Sequence, residues 1–128
     1  MAHLCPFEWM KKAMAGQVSS TKRAYDNMIQ MLSPYNKQEL CHLMGLGYAG
    51  FLKDNCDLEI PCPVLLILGE KDKTGKVVQY NQAWTEQTGF PLKVISGAAH
   101  NANVDKPEEV NECILAFLTG VLNAHDGG

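Results

Sequence analysis

The sequence predicts an α/β fold in which a small parallel sheet follows a helical region. A short apolar run at 64–68 and a second strand-like segment at 92–96 are each followed by a segment with helical periodicity, so the second half of the chain has the order strand, helix, strand, helix. Strands joined by a crossover helix pair in parallel, almost always with a right-handed connection. The first part of the chain carries helical patterns alone. We therefore divide the chain into a helical region at 1–58 and an α/β region at 59–128.

Three helices are predicted in the helical region. The first covers residues 6–15. The hydroxyl side chains at 19–21 can accept hydrogen bonds from free backbone N–H groups, so they predict the start of a second helix. Asn36 and Glu39 have the spacing of a capping box and predict the start of a third helix, with apolar residues on one face.

Residues 45–50 of the third helical pattern match the motif G-x-G-x-x-G. The dinucleotide-binding fingerprint requires a strand before these glycines and a long helix after them. Here a helical pattern comes before them and a polar stretch soon follows, so the motif does not predict a nucleotide site. We expect Gly45, Gly47 and Gly50 to end the helix and to allow close packing.

The α/β region alternates strands and helices. The run at 64–68 shows no polar alternation and lies between prolines and a glycine, which is typical of a strand covered on both faces. Apolar residues at i, i+3 and i+7 predict a helix over 76–88, and a second strand follows at 92–96. Pro107 suits the first position of a helix, with two glutamates in the first turn. Apolar residues then continue at helical spacing, so the last helix covers 107–122.

The loop at 69–76 lies between a strand and a helix, where a phosphate-binding loop would lie. A Walker A motif has four residues between its glycines and a hydroxyl residue after its lysine. This loop has an extra residue between the glycines, and Val77 stands in place of the hydroxyl. We therefore expect its lysines to form a solvated rim rather than a phosphate site.

Composition and charge exclude several classes of function. The 128 residues are 46% hydrophobic and 20% charged, close to the average for globular domains. Eleven Lys and Arg against fourteen Asp and Glu give a net charge of −3 and a pI of about 5.7, whereas nucleic-acid-binding proteins normally carry a basic surface. No apolar run approaches the roughly 18 residues of a membrane-spanning helix. We predict neither a nucleic-acid partner nor a membrane partner.

Cysteine usage favours a reducing compartment. The five cysteines are odd in number and none has C-x-x-C spacing, so neither a zinc site nor a redox motif is predicted. Glu8, Lys11 and Lys12 interrupt the first twenty residues, which excludes a secretory signal there. We predict a cytoplasmic protein with no metal site and no organic cofactor.

Asp72 and His100 are the candidate catalytic residues. Asp72 follows the first predicted strand and His100 follows the second. Neighbouring parallel strands lie about 4.8 Å apart, so side chains that leave the same edge can meet, and open α/β sheets bind ligands there. A buried Asp can fix the tautomer of a His and stabilise the imidazolium. The spacing leaves two interpretations open: an orienting acid with its histidine, or a capping Asp near an unrelated loop His.

At these positions the sequence resembles the C-terminal half of the α/β-hydrolase family. Segment 63–72 is similar to a core strand of that family followed by the acid of its catalytic triad. Segment 96–100 resembles the part that ends in the triad histidine, and 107–110 resembles the start of the final helix. The resemblance implies that His100 is a general base and that Asp72 orients it.

The resemblance covers residues 58–122, whereas residues 1–58 are only loosely similar to the helical cap that covers the site in many members. Family members place the nucleophilic serine before the acid and the histidine, in a G-x-S-x-G turn between strand and helix. No such turn occurs in this sequence. Its four serines are Ser19, Ser20, Ser33 and Ser96.

The resemblance therefore implies a C-terminal fragment of a serine-hydrolase-like, esterase-like α/β-hydrolase. In its complete form we expect it to act on small carboxylic esters or acyl compounds, and we expect no triad turnover from this chain alone. The alternative is a non-catalytic, stand-alone interaction protein that retains half of the hydrolase scaffold. For that protein we expect self-association through the exposed edge of the strand at 64–68.

Overall fold

The computed structural model describes residues 6–54 and 59–126 and has a mixed α/β architecture that is mostly helical. The coarse α/β class predicted from the sequence is confirmed. The predicted boundary at residue 58 lies outside the described residues. The elements in chain order are α1 (Phe7–Val18), α2 (Lys22–Leu32), α3 (Lys37–Asp54), β1 (Leu66–Gly69), α4 (Val77–Thr88), β2 (Leu92–Ile95), the single turn α5 (Ala102–Asp105) and α6 (Pro107–Asp126).

The sheet of the described residues consists of β1 and β2, paired in parallel as predicted. Leu66 lies opposite Leu92 and Gly69 opposite Ile95, and α4 makes the crossover between the strands. Hydrogen-bonded pairing begins where the Leu66 N–H donates to the Pro91 carbonyl at 2.9 Å. Strand β1 is therefore shorter than the apolar run that predicted it.

The core lies between the sheet and the two C-terminal helices. It contains Ile95, Ala98, Ala102 and Val110, with Ile67 and Cys113 packed against it. Among the described side chains of α6, however, only Val110 is buried, and much of the apolar stripe that predicted this helix is exposed. In the described residues α6 makes its main contacts with α5 and β2.

Helices α1 and α2 pack against each other through small residues. Ala15 and Ala24 are fully buried, since a methyl side chain lets two helix backbones approach closely. The Thr21 hydroxyl accepts a hydrogen bond from the Ala24 N–H at 3.2 Å, which is the predicted cap of α2. The two helices thus form a compact pair whose connecting turn is fixed by Thr21.

Helix α3 begins as predicted and ends differently. The Asn36 N–H donates to Glu39 Oε2 at 2.9 Å and the Glu39 N–H donates to Asn36 Oδ1 at 3.0 Å, so the capping box is confirmed. The prediction that Gly45, Gly47 and Gly50 end the helix is wrong, because α3 continues to Asp54.

The predicted close packing at these glycines is also wrong. A Cβ built at Gly45, Gly47 or Gly50 would meet no atom of the described residues within 4 Å. Glycine lowers helix stability by about 1 kcal/mol relative to alanine but leaves the helical conformation accessible.

None of the helices in the described parts of the chain is long and apolar enough to cross a membrane.

Candidate active site

Asp72 lies in the turn that ends β1. Its backbone N–H donates to the Gly69 carbonyl at 3.0 Å, which turns the chain back over the end of the strand. Asp72 Oδ1 accepts a hydrogen bond from the Thr74 N–H at 2.8 Å, as in an Asx-turn. The side chain of Asp72 is only 3% exposed. The carboxylate is therefore held in one orientation by its own turn, which leaves Oδ2 for another partner.

His100 reaches that oxygen from the loop after β2. Its Nδ1 lies 2.8 Å from Asp72 Oδ2, although the two residues are 28 positions apart in sequence. The predicted pairing of acid and histidine is confirmed, and the interpretation of an unrelated loop histidine is wrong. The catalytic role of the pair stays a prediction.

The two loops are joined directly by hydrogen bonds. The Glu70 N–H donates to the Ile95 carbonyl at 3.0 Å and the Lys71 N–H donates to the Ala98 carbonyl at 2.7 Å. In return, Glu70 Oε2 accepts from the Gly97 N–H at 2.7 Å, which lowers the pKa of the Glu70 carboxyl. Gly97 has a φ of 73°, in the left-handed region that favours glycine. These contacts fix the path of the chain toward His100.

Gly69 is required by the close approach of these loops. A Cβ built on Gly69 would lie 2.0 Å from the Ala99 carbonyl oxygen and 2.7 Å from the Ala98 carbonyl oxygen. Both are backbone atoms, so no side-chain rotation would relieve the overlap. Sequence reasoning assigned Gly69 only to the boundary of a strand and missed its contact with the residues before His100.

The electrostatics of the pair favour an ionised Asp72. Burial by itself would raise the pKa of Asp72, but hydrogen bonds from His100 and from the Thr74 backbone N–H outweigh it. The pKa of Asp72 is therefore lower than the ordinary value for an aspartate. An ionised carboxylate only accepts hydrogen bonds, so Nδ1 of His100 carries the proton that they share.

The second nitrogen of His100 is free to take up a proton. The side chain is 40% exposed, and Nε2 makes no hydrogen bond with the residues that the structure describes. With Nδ1 protonated and bound to Asp72, a neutral imidazole has its lone pair at Nε2. The arrangement can therefore accept a proton at Nε2 and stabilise the resulting imidazolium through Asp72.

No nucleophile accompanies the pair in the described parts of the chain. Ser96, the serine nearest to His100 in sequence, donates its hydroxyl to Glu70 Oε2 at 3.0 Å. The Ser33 hydroxyl donates to the Gln30 carbonyl, and Ser19 and Ser20 lie between α1 and α2. Within residues 6–54 and 59–126, no serine hydroxyl or cysteine thiol is hydrogen-bonded to His100.

The lysines of the loop at 69–76 and the possibility of a metal site are the remaining sequence predictions. Lys71, Lys73 and Lys76 are exposed, so the prediction of a solvated rim is confirmed. In the residues described, no three His, Cys, Asp or Glu side chains come together as a metal site.

Asp105 is a functional candidate that sequence reasoning missed. It lies at the end of α5, is buried, and accepts hydrogen bonds from the residue before His100 and from the turn between α1 and α2. No pattern in the sequence predicts these contacts of Asp105, because two of its three partners lie more than eighty positions away.

Comparison with models of known protein families, with curated proteins and with solved structures finds no match to this chain. The functional interpretation therefore depends on the residues and geometry described above.

Proposed function

We propose that this chain supplies the acid–base half of a serine-hydrolase-like enzyme of the α/β-hydrolase type. The supporting observation is the 2.8 Å contact between His100 Nδ1 and Asp72 Oδ2 at the carboxyl edge of a parallel sheet. The buried, oriented carboxylate and the half-exposed imidazole match the roles of triad acid and triad base. The resemblance of segments 63–72 and 96–100 to that family supports the same proposal.

In the proposed reaction, a serine of the complete enzyme attacks the carbonyl of a small carboxylic ester. His100 takes the serine proton at Nε2, and Asp72 stays ionised and stabilises the imidazolium. His100 then returns that proton to the leaving alcohol, and an acyl-enzyme forms. Water, activated by the same nitrogen, releases the acid and regenerates the serine. No metal or organic cofactor enters this mechanism.

The serine and the donors that stabilise the oxyanion are assigned in this proposal to sequence outside the 128 residues. We expect a G-x-S-x-G turn to be encoded upstream of Met1, because family members place the serine before the acid. The test is to read the frame immediately upstream and to express the extended chain. A stop codon close upstream of Met1 would contradict the proposal.

The extended chain gives a direct test of the two site residues. It should hydrolyse 4-nitrophenyl acetate, and Asp72→Asn should lower kcat by about 10⁴-fold, since an Asn leaves the imidazole in the wrong tautomer. His100→Ala should remove the activity. Asp26→Asn, which changes an exposed aspartate on α2, is the matched control and should retain the parental rate. The 128-residue chain alone should not turn over, and His100-dependent hydrolysis by it would contradict the assignment of the nucleophile.

A second candidate function is a non-catalytic interaction protein that associates with a further copy of itself. Its support is the exposed apolar surface beside the sheet, where Val94 on β2 is more than half exposed. An open groove between β2 and α6 adds Cys113 and Phe117 to this surface. Strand β1 pairs on one side only in the described residues, which leaves an edge for a second strand.

Light scattering on the 128-residue chain separates the two candidates. A soluble dimer with one cooperative unfolding transition would favour the self-associating interaction protein. A well-behaved monomer with such a transition would favour a stand-alone protein over a fragment, but it would contradict the self-association. Aggregation would favour a fragment that lacks the rest of its sheet, because two parallel strands form too small a sheet for independent stability. Val94→Lys places a charge on the exposed face of β2 and should dissociate a dimer formed through this surface.

A further inference from the structure

Asp105 joins the N-terminal helix pair to the loop that carries His100. Its carboxylate accepts hydrogen bonds from the Ser20 N–H at 3.0 Å, from the Thr21 N–H at 2.8 Å and from the Thr21 hydroxyl at 2.9 Å, all at Oδ1. Its other oxygen, Oδ2, accepts from the Ala99 N–H at 2.9 Å. One buried carboxylate therefore holds two distant parts of the chain together.

Backbone hydrogen bonds hold the residues on both sides of His100. Ala99 donates its N–H to Asp105, and Asn101 donates its N–H to the Val18 carbonyl at 2.9 Å. Val18 ends α1, so both anchors lead to the connection between α1 and α2. His100 itself contributes only its ring contact with Asp72 to this network.

The charge of Asp105 suits this arrangement. Burial by itself would raise the pKa of Asp105, but the hydrogen bonds from Ala99, Thr21 and Ser20 outweigh it and lower the pKa. An ionised carboxylate accepts from several donors at once, and hydrogen bonds to a charged group are about twice as strong as neutral ones. Asparagine offers one acceptor oxygen and an NH₂ donor, so it cannot serve the donors on both sides of the carboxylate.

We propose that Asp105 is a positioning residue that keeps His100 on Asp72 by binding the loop at Ala99 to the α1–α2 turn. Its meaning for catalysis rests on the proposed function, whereas the positioning concerns the geometry of the pair and is measurable without a substrate. Asp105 acts through the backbone of Ala99, the residue before His100, and is hydrogen-bonded to neither Asp72 nor the imidazole in the described residues.

The test is the tautomer of His100 in the 128-residue chain, measured by ¹⁵N NMR of the imidazole at a pH where the ring is neutral. The parent should show the Nδ1–H form, which the Asp72 contact selects. Asp105→Asn should lose that signature, because the Ala99 N–H then faces a donor and releases the loop. Asp26→Asn removes the same charge from an exposed position and should retain the signature.

A second control separates positioning from general destabilisation. Leu32 is buried at the end of α2, and its apolar side chain takes no part in the hydrogen bonds that hold Asp105 or His100, so Leu32→Ala should lower stability and keep the Nδ1–H signature in the folded protein. Retention of the signature in folded Asp105→Asn, or its equal loss in Leu32→Ala, would overturn the proposal.

A milder pair of variants covers the case in which Asp105→Asn does not fold. Thr21→Val removes the hydroxyl that donates to Asp105 Oδ1 and that also caps α2, so the link between Asp105 and this turn should loosen and the Nδ1–H signal should weaken. Thr21→Ser keeps the hydroxyl and should restore the signal. Identical spectra for the two Thr21 variants would contradict the proposal. Absence of hydrolysis by the extended chain would count against the proposed function and leave these NMR outcomes unaffected.

Discussion

Helix α3 has eighteen residues, and among its described side chains only Leu40 is buried. The loop at 96–106 is shorter, yet it buries Ala98, Ala99, Ala102 and Asp105. The loop is held by hydrogen bonds to the β1 turn and to the α1–α2 connection, whereas α3 is fixed mainly by its own backbone and by the capping box at its start.

This contrast shows that regular secondary structure and tight packing are separate properties in this chain. The loop has little helix and no strand, but small side chains and backbone donors bring its atoms into close contact with β1. Helix α3 has complete helical geometry, but Leu46 and Phe51 are exposed. The candidate active site belongs to the tightly packed part of the molecule.

The largest expected difference between the two regions is the change in the free energy of unfolding when a glycine is replaced by alanine. Gly69→Ala should lower the free energy of unfolding by about 3 kcal/mol, because its Cβ would overlap the Ala99 carbonyl oxygen. Gly45→Ala is the matched control: its Cβ meets nothing, and alanine should stabilise α3 by about 1 kcal/mol. Urea unfolding followed by circular dichroism measures both. Equal changes in the free energy of unfolding for the two substitutions would contradict the difference in packing between the two regions.

Truncation of an apolar side chain gives the next largest difference. Val110 is buried in the core under the His100 loop, so Val110→Ala should destabilise the protein by about 2 kcal/mol. Leu46 lies on the exposed side of α3, and Leu46→Ala should change the free energy of unfolding by less than about 0.5 kcal/mol. The same urea experiment measures both variants, and a larger effect at Leu46 would mean that α3 is covered in solution.

The smallest expected effect is a pH dependence of the free energy of unfolding, which comes from carboxyl groups in the loops. The pKa values of Asp72 and Asp105 are lower in the folded chain than the ordinary value of about 3.9. A carboxyl with a depressed folded pKa contributes stability that is complete above its unfolded pKa and is lost as the pH falls through the folded value. The free energy of unfolding should therefore decrease as the pH falls below about 4.

Urea unfolding between pH 2.5 and 6 measures this decrease. Asp72→Asn removes one of the carboxyl groups with a lowered pKa and should make the decrease shallower than in the parent chain. The same slope in both proteins would show that Asp72 does not have a depressed pKa.

The parts of the fold that were predictable depend on local patterns and on sheet geometry. Sheet geometry made the contact of Asp72 with His100 possible, because each follows one of two neighbouring parallel strands whose carboxyl ends meet at one edge. The spacing alone left this pairing and an unrelated loop histidine both open, and the family resemblance favoured the pairing. The capping box of α3 was predictable from spacing alone, because Asn36 and Glu39 contact each other across one turn.

The rest depends on contacts that no local pattern encodes. The continuation of α3 through Gly45 and Gly47 reflects a small energetic cost that the rest of the helix exceeds. The constraint on Gly69 comes from backbone atoms of Ala98 and Ala99, which the sheet and its loops bring into contact. Asp105 binds Ser20 and Thr21, and no local pattern in the sequence indicates that these distant residues come together.

The contacts of Asp105 also affect when the site can form. They join residues 84 and 85 positions apart, so they close most of the chain into a loop. The entropy lost in closing a loop grows with its length and must be lost before the contact stabilises anything, and contacts of long sequence separation slow folding. The strand turns and the capping box can form early, whereas His100 gains its final support only when the two ends of the molecule meet. We therefore expect the acid–histidine pair of a newly made chain to reach its final geometry late in folding.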